Sequence, residues 1–168
     1  MRKLIFLLLL IPSIALAQKL PDYGLYKARI ANPDSVVEAE FLPIRKQPRR
    51  RENLLFYWFS ANSIHITQGS YSGKLLNGSY EAYFPDKSLK TQGQFNTGLK
   101  TGVWRSWDNK GTMVELYTWK NGFKNGEYQL FDTNGKPRES GVYKHDQLVV
   151  IEKRTIWQRI NIFKKRRS

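Results

Sequence analysis

Gly93-Gln-Phe-Asn-Thr-Gly98-Leu-Lys-Thr-Gly102-Val-Trp104-Arg-Ser-Trp107-Asp-Asn-Lys-Gly111 is one unit of a repeat, and the rest of the chain aligns outward from it. The pattern returns every 24 residues: Gly78, Gly102 and Gly126; Tyr80, Trp104 and Tyr128; Tyr83, Trp107 and Phe131; Tyr71, Phe95, Trp119 and Tyr143. Gly69, Gly93 and Gly141 keep step, with Tyr117 where the remaining glycine is expected. A fixed period of this length marks an array in which each unit is one supersecondary element.

Each unit reads G-x-aromatic, a short polar segment, G-x-aromatic-x-x-aromatic, then a second polar segment. Asn77-Gly78, Asn121-Gly122, Asn125-Gly126 and Asn134-Gly135 read as hairpin turns, because glycine takes positive φ without steric cost and Asn tolerates it. β-branched and aromatic residues lie between them at strand length, as in Thr112 to Lys120. Eleven of the twelve glycines fall between Gly69 and Gly141, a density that no helix sustains. The reading is all-β: an antiparallel meander of about seven or eight strands built from hairpin repeats. Residues 54–148 form the array, and Leu54 to Phe59 reads as a degenerate half-unit that opens the sheet.

The quoted unit resembles the MORN-repeat-variant proteins, with Tyr117 to Gly135 as a second unit and Tyr71 to Lys87 as a looser third. The resemblance spans roughly residues 54 to 145. It implies a MORN-like hairpin array; many members are exported bacterial proteins, and some carry the label "YwqK-type antitoxin". Lys74 and Asp146 depart from the pattern, standing where Gly98 and Gly122 stand.

The flanks differ from the array. Arg2 and Lys3, the apolar run from Leu4 to Ile11, and Ala15-Leu16-Ala17 make a secretory signal peptide cleaved after Ala17. Its uncharged stretch of 14 residues is shorter than the roughly 20 a spanning helix needs. The expected location is therefore the periplasm, outer envelope or medium, with no transmembrane segment in the mature chain. Residues 18–53 read as an N-terminal hairpin, Leu25 to Ile30 and Val36 to Phe41 around Pro33-Asp34, followed by a basic linker. Asp34-Ser35-Val36 also matches a short bacterial O-glycosylation acceptor motif.

The chain carries 28 Lys and Arg against 14 Asp and Glu, a formal charge of +14. The array contributes +3 between residues 69 and 143, whereas residues 144–168 contribute +6. The tail, residues 149–168, therefore offers Lys153, Arg154, Arg159, Lys164, Lys165, Arg166 and Arg167 as candidates for reversible contact with an anionic surface. Ile156, Trp157, Ile160 and Phe163 share a helical face, but the run serves equally as a strand.

Catalysis has little support in the residues. His65 and His145 are 80 apart and lack a carboxylate or nucleophile signature, so neither reads as a general base. Asp86, Asp108 and Asp132 each fall in a second turn, where Asp bonds its own backbone. There is no cysteine, no metal-ligand cluster and no phosphate loop, so no cofactor and no metal are expected.

Residues three apart on a strand point to opposite faces, which places Trp104 and Trp107 on different sides of the sheet. Tyr83, Trp107, Phe131, Trp104 and Trp119 are accordingly the aromatic-ladder candidates for binding. One stripe should form core and the other an outward surface suited to glycan rings or an apolar partner. The expected function is a noncatalytic exported binding or scaffold module for an envelope protein or an anionic envelope component. The family label makes an antitoxin or immunity-type inhibitor the alternative, and nucleic acid is disfavoured by export.

Overall fold

In the computed structural model, residues 26–149 are described apart from Pro43, Arg45 and Arg50. Twelve strands and no helix occur among them: β1 (Lys27–Asn32), β2 (Ser35–Glu40), β3 (Leu55–Ser60), β4 (Ser63–Gln68), β5 (Lys74–Leu75), β6 (Gly78–Tyr83), β7 (Leu89–Asn96), β8 (Leu99–Trp107), β9 (Met113–Lys120), β10 (Phe123–Phe131), β11 (Pro137–Lys144) and β12 (Gln147–Val149). Nine form one antiparallel sheet, in the order β1-β2-β6-β7-β8-β9-β10-β11-β12; β4-β3-β5 form a second. β6 to β12 are seven consecutive meander strands, as the repeat predicts. The signal peptide and the basic tail from Val150 lie outside the described residues.

Two turn types alternate along the meander. At one end the chain reverses through two residues with positive φ: Thr97-Gly98, Asn121-Gly122 and His145-Asp146. This is the turn whose twist matches that of paired strands. These turns stack through backbone bonds from Gly98 N to Leu76 O, Gly122 N to Lys100 O and Asp146 N to Lys124 O, 2.7, 3.0 and 2.9 Å long. At the other end, Asp108 Oδ1 accepts from the amides of Lys110 and Thr112, and Asp132 Oδ1 from those of Asn134 and Lys136. Asp86 Oδ1 accepts from the amide and the hydroxyl of Ser88. These carboxylates shape turns, as their spacing predicts.

Asn77-Gly78 and Asn125-Gly126 are not turns, contrary to the sequence reading. Gly78 is the first residue of β6, and Asn125-Gly126 are the third and fourth residues of β10. Between Lys124↔Trp119 and Tyr128↔Tyr117 three residues of β10 oppose one of β9, so Gly126 sits in a bulge with φ 132°. A Cβ there would lie 2.8 Å from the Thr118 side chain. Glycine answers the same local demand for positive φ at turns and bulges, so the dipeptide alone does not separate them.

The repeat has a packing reason. We call the face bearing Trp104 inner and the opposite face outer. Across the inner face, repeat glycines pair with aromatic residues on neighbouring strands: Gly78↔Phe95, Tyr80↔Gly93, Gly102↔Trp119, Gly126↔Tyr143 and Tyr128↔Gly141. The Trp104 ring lies directly on Gly93, where a Cβ would come within 2.2 Å of it. Tyr117 breaks the alternation, and Tyr128 stacks parallel to it, 5.7 Å away.

Leu54 to Phe59 does not open the main sheet. The N-terminal hairpin β1-β2 takes that place by pairing β2 with β6, while β3 joins the small sheet. The small sheet covers the inner face: Tyr57 packs on Phe95 at 4.7 Å and Phe59 on Phe41 at 5.0 Å. A backbone bond from Tyr57 N to Gly98 O, 2.8 Å, fixes its height over β7 and β8. The core consists of Ile30, Val37, Ala39, Phe41, Leu76, Ala82, Phe95 and Trp104, with a second cluster of Leu54, Phe56, Leu75 and Leu99. Burial of apolar surface between the layers replaces the disulfides that a cysteine-free chain cannot form. Ser35, in the O-glycosylation motif, is buried and its hydroxyl bonds Asp34, so it is not presented as an acceptor.

Candidate functional site

The five aromatic candidates divide between the two faces. Trp104 is 6% exposed, and Trp119 packs against the same core cluster. Lys100 caps both: its Nζ lies 4.2 Å from the Trp104 ring centre, 4.9 Å from Trp119 and 5.6 Å from Tyr57. Burial pushes the Lys100 ammonium below the ordinary lysine range. These contacts occupy the Trp104 and Trp119 rings, so they serve packing.

One repeat later, Lys124 Nζ sits 4.0 Å over Tyr117 and 5.2 Å from Tyr143. The sequence reading passed over this pair of lysines, although Lys100 and Lys124 share the 24-residue period. Cation–π contacts of this kind let a basic chain cover an aromatic face with its own side chains.

Tyr83, Trp107 and Phe131 lie on the outer face, all half-buried. They occupy equivalent positions at the Asp-turn ends of β6, β8 and β10. Apolar cross-strand partners continue the row: Tyr83 pairs Val36 and Leu89, Trp107 pairs Met113, and Phe131 pairs Pro137. Alternate strands put the three rings on strand axes about 9.6 Å apart. No described strand packs over this face.

Beside the row runs a polar one. Glu81, Gln92 and Arg105 are opposite one another in register and precede the aromatics by two residues on β6 and β8, hence share their face. They line a shallow groove of about 330 Å³ together with Ser79, Gln94 and Val103. Tyr83 Oη donates to Glu81 Oε2 at 2.5 Å, and Gln92 Nε2 donates to Glu81 Oε1 at 3.1 Å. These bonds hold the Glu81 carboxyl below the usual range. Glu38 is engaged by Lys27 and Arg29 at 3.0 and 3.2 Å. Arg105, by contrast, has no carboxylate within ion-pair distance among the described residues. The signal for this polar row was present in the sequence at i−2 from each outer aromatic, but it does not repeat and so escaped a search for periodicity.

The hydrogen bond from Tyr83 to Glu81 raises the phenol to about 12, and the bond from Tyr128 to Glu139, 2.6 Å, does the same for Tyr128. A proton held more tightly in the folded state stabilises it below the unfolded pKa of about 10. That contribution is lost as pH rises from about 10 through 12. An alkaline titration followed by phenolate absorbance should show Tyr83 and Tyr128 ionising late, alongside Tyr57, Tyr80 and Tyr117, whose phenols burial also raises, and Glu81→Ala should return Tyr83 toward about 10. A single ordinary transition for all tyrosines would contradict both bonds.

The histidines stay apart. His65 stacks on Trp58 at 4.3 Å, with Nε2 3.2 Å from Ser60 O. His145 occupies a turn with φ 51° and packs near Phe123. The tail candidates from Lys153 to Arg167 lie outside the described residues. No family model, curated protein or solved structure matches the chain.

Proposed function

We propose that this protein is an exported, noncatalytic binding module that holds a cell-envelope component on the outer face of its β-array, with the basic tail adding attraction to anionic surface. The observation that carries this reading is the placement of Tyr83, Trp107 and Phe131 on one face, half-buried and on alternate strands. A rigid sheet presents such rings at little entropic cost, and aromatic anchors dominate binding energy where they meet a partner. The antitoxin reading draws on the repeat resemblance alone.

The test is sedimentation of the purified chain, from Gln18, with isolated envelope fragments at low and physiological salt. Trp107→Ala should weaken binding by about tenfold or more, the scale of an aromatic hot spot. Deletion of residues 153–168 should remove only the salt-sensitive part, since screening acts on exposed charge. Equal sedimentation by the parent chain and Trp107→Ala would refute the reading.

A further inference from the structure

We propose that the outer face binds a linear acidic glycan, with the chain lying across Tyr83, Trp107 and Phe131 and a carboxylate of one sugar taken by Arg105. This rests on the binding-module reading and names the ligand class of that same face.

Ring spacing is the first argument. Three rings on every second strand, with strand axes about 9.6 Å apart, suit the span of two sugar units in an extended 1,4-linked chain. A polymer with that repeat meets a ring at each step, whereas a folded protein surface has no reason to. Sugar rings present C–H faces that pack on aromatic rings and hydroxyl edges that need polar partners.

The groove beside Tyr83 and Trp107 supplies such partners. Glu81 accepts, and the Gln92 amide both donates and accepts; their mutual bond of 3.1 Å fixes their orientation before a ligand arrives. This lining is too polar for the desolvated centre of a protein interface.

Charge complementarity is the third argument. Two acidic groups of this face are committed: Glu38 to Lys27 and Arg29, and Glu81 to Tyr83 and Gln92. Arg105 is the cation beside them without a carboxylate among the described residues. Its guanidinium lies two residues from Trp107 on the same face of β8, and offers the planar fork that fits a carboxylate through two bonds. A neutral glycan would leave this group unanswered. An anionic bilayer would call for a cluster of cations, where this face sets Glu81 in the same groove as Arg105.

Titration calorimetry of the purified chain with a mannuronate oligosaccharide, an extended 1,4-linked uronate, tests the assignment against a cello-oligosaccharide of equal length. The uronate should bind at least about tenfold more tightly, and Arg105→Ala and Trp107→Ala should each weaken it about tenfold or more. Arg105→Lys should recover only part of the loss, because an ammonium keeps the charge without the fork. Unchanged circular dichroism and unfolding midpoint establish that each variant is folded.

Equal binding of the neutral chain, or undiminished uronate binding by Arg105→Ala, overturns the proposal. So does loss of uronate binding on deletion of 153–168 with Arg105→Ala unaffected, which would locate polyanion binding in the tail. If the uronate does not bind while Trp107-dependent sedimentation with envelope fragments persists, the glycan assignment fails and the binding-module reading stands.

Discussion

Phe56→Ala should lower the unfolding free energy by about 3–5 kcal/mol, the cost of truncating a fully buried phenylalanine. Phe56 has no exposed surface. It lies between Leu54, Leu75 and Leu99 in the second core cluster, with the Tyr71 ring 5.3 Å away. The small sheet rests on the main one through Tyr57 on Phe95 and Phe59 on Phe41, and Phe56 adds a contact with Leu99 of β8; the backbone bridges include Tyr57 N to Gly98 O and Gly98 N to Leu76 O. A cavity at Phe56 therefore loosens β3 and β5 against Leu99 at the turn end of β8. Urea denaturation followed by tryptophan fluorescence measures the loss. Leu55, the next residue and 50% exposed, serves as the control: Leu55→Ala should change stability by less than about 0.5 kcal/mol. Equal effects at the two positions would show that β3 does not pack as described.

Gly93→Ala should cost about 2–3 kcal/mol, although it adds a single methyl group. A Cβ at Gly93 would stand 2.2 to 2.7 Å from atoms of the Trp104 ring, which is itself held from above by Lys100 and from the side by Phe95 and Tyr80. The ring has nowhere to retreat, so the sheet must open or the indole must leave the core. Gly111 separates this steric cost from backbone strain: it takes φ 80°, yet nothing lies within 4 Å of its Cβ position. Gly111→Ala should therefore cost only about 1–2 kcal/mol, the penalty of a left-handed conformation. Chemical denaturation of both variants orders them, and a larger loss at Gly111 would mean that the repeat glycines serve conformation and not ring packing.

The same two glycines show how much the 24-residue period revealed. Periodicity identified the hairpin array, the opposed directions of Trp104 and Trp107, and the Asp turns, since each follows from local rules of strand alternation and turn chemistry acting within a unit. The N-terminal hairpin was legible too, running as β1 and β2 around Pro33-Asp34. Asn77-Gly78 and Asn125-Gly126 were misread because turn and bulge ask the same thing of a glycine. Leu54 to Phe59 was misplaced because its hydrophobic pattern suits an edge strand of the main sheet as well as a strand of a covering layer.

Sequence alone, then, determined the unit: its length, its strands, its Asp turns and the division of its aromatics between two faces. Tertiary structure alone decided which face was covered. That choice depends on the long connection from β2 to β6 folding back over Phe95 and Trp104, a contact between residues far apart in the chain that no local period encodes. It also decided which charges remained uncommitted. Lys100 and Lys124 settle on rings of the inner face and Glu81 on its neighbours, so Arg105 becomes distinctive only when the strands are side by side.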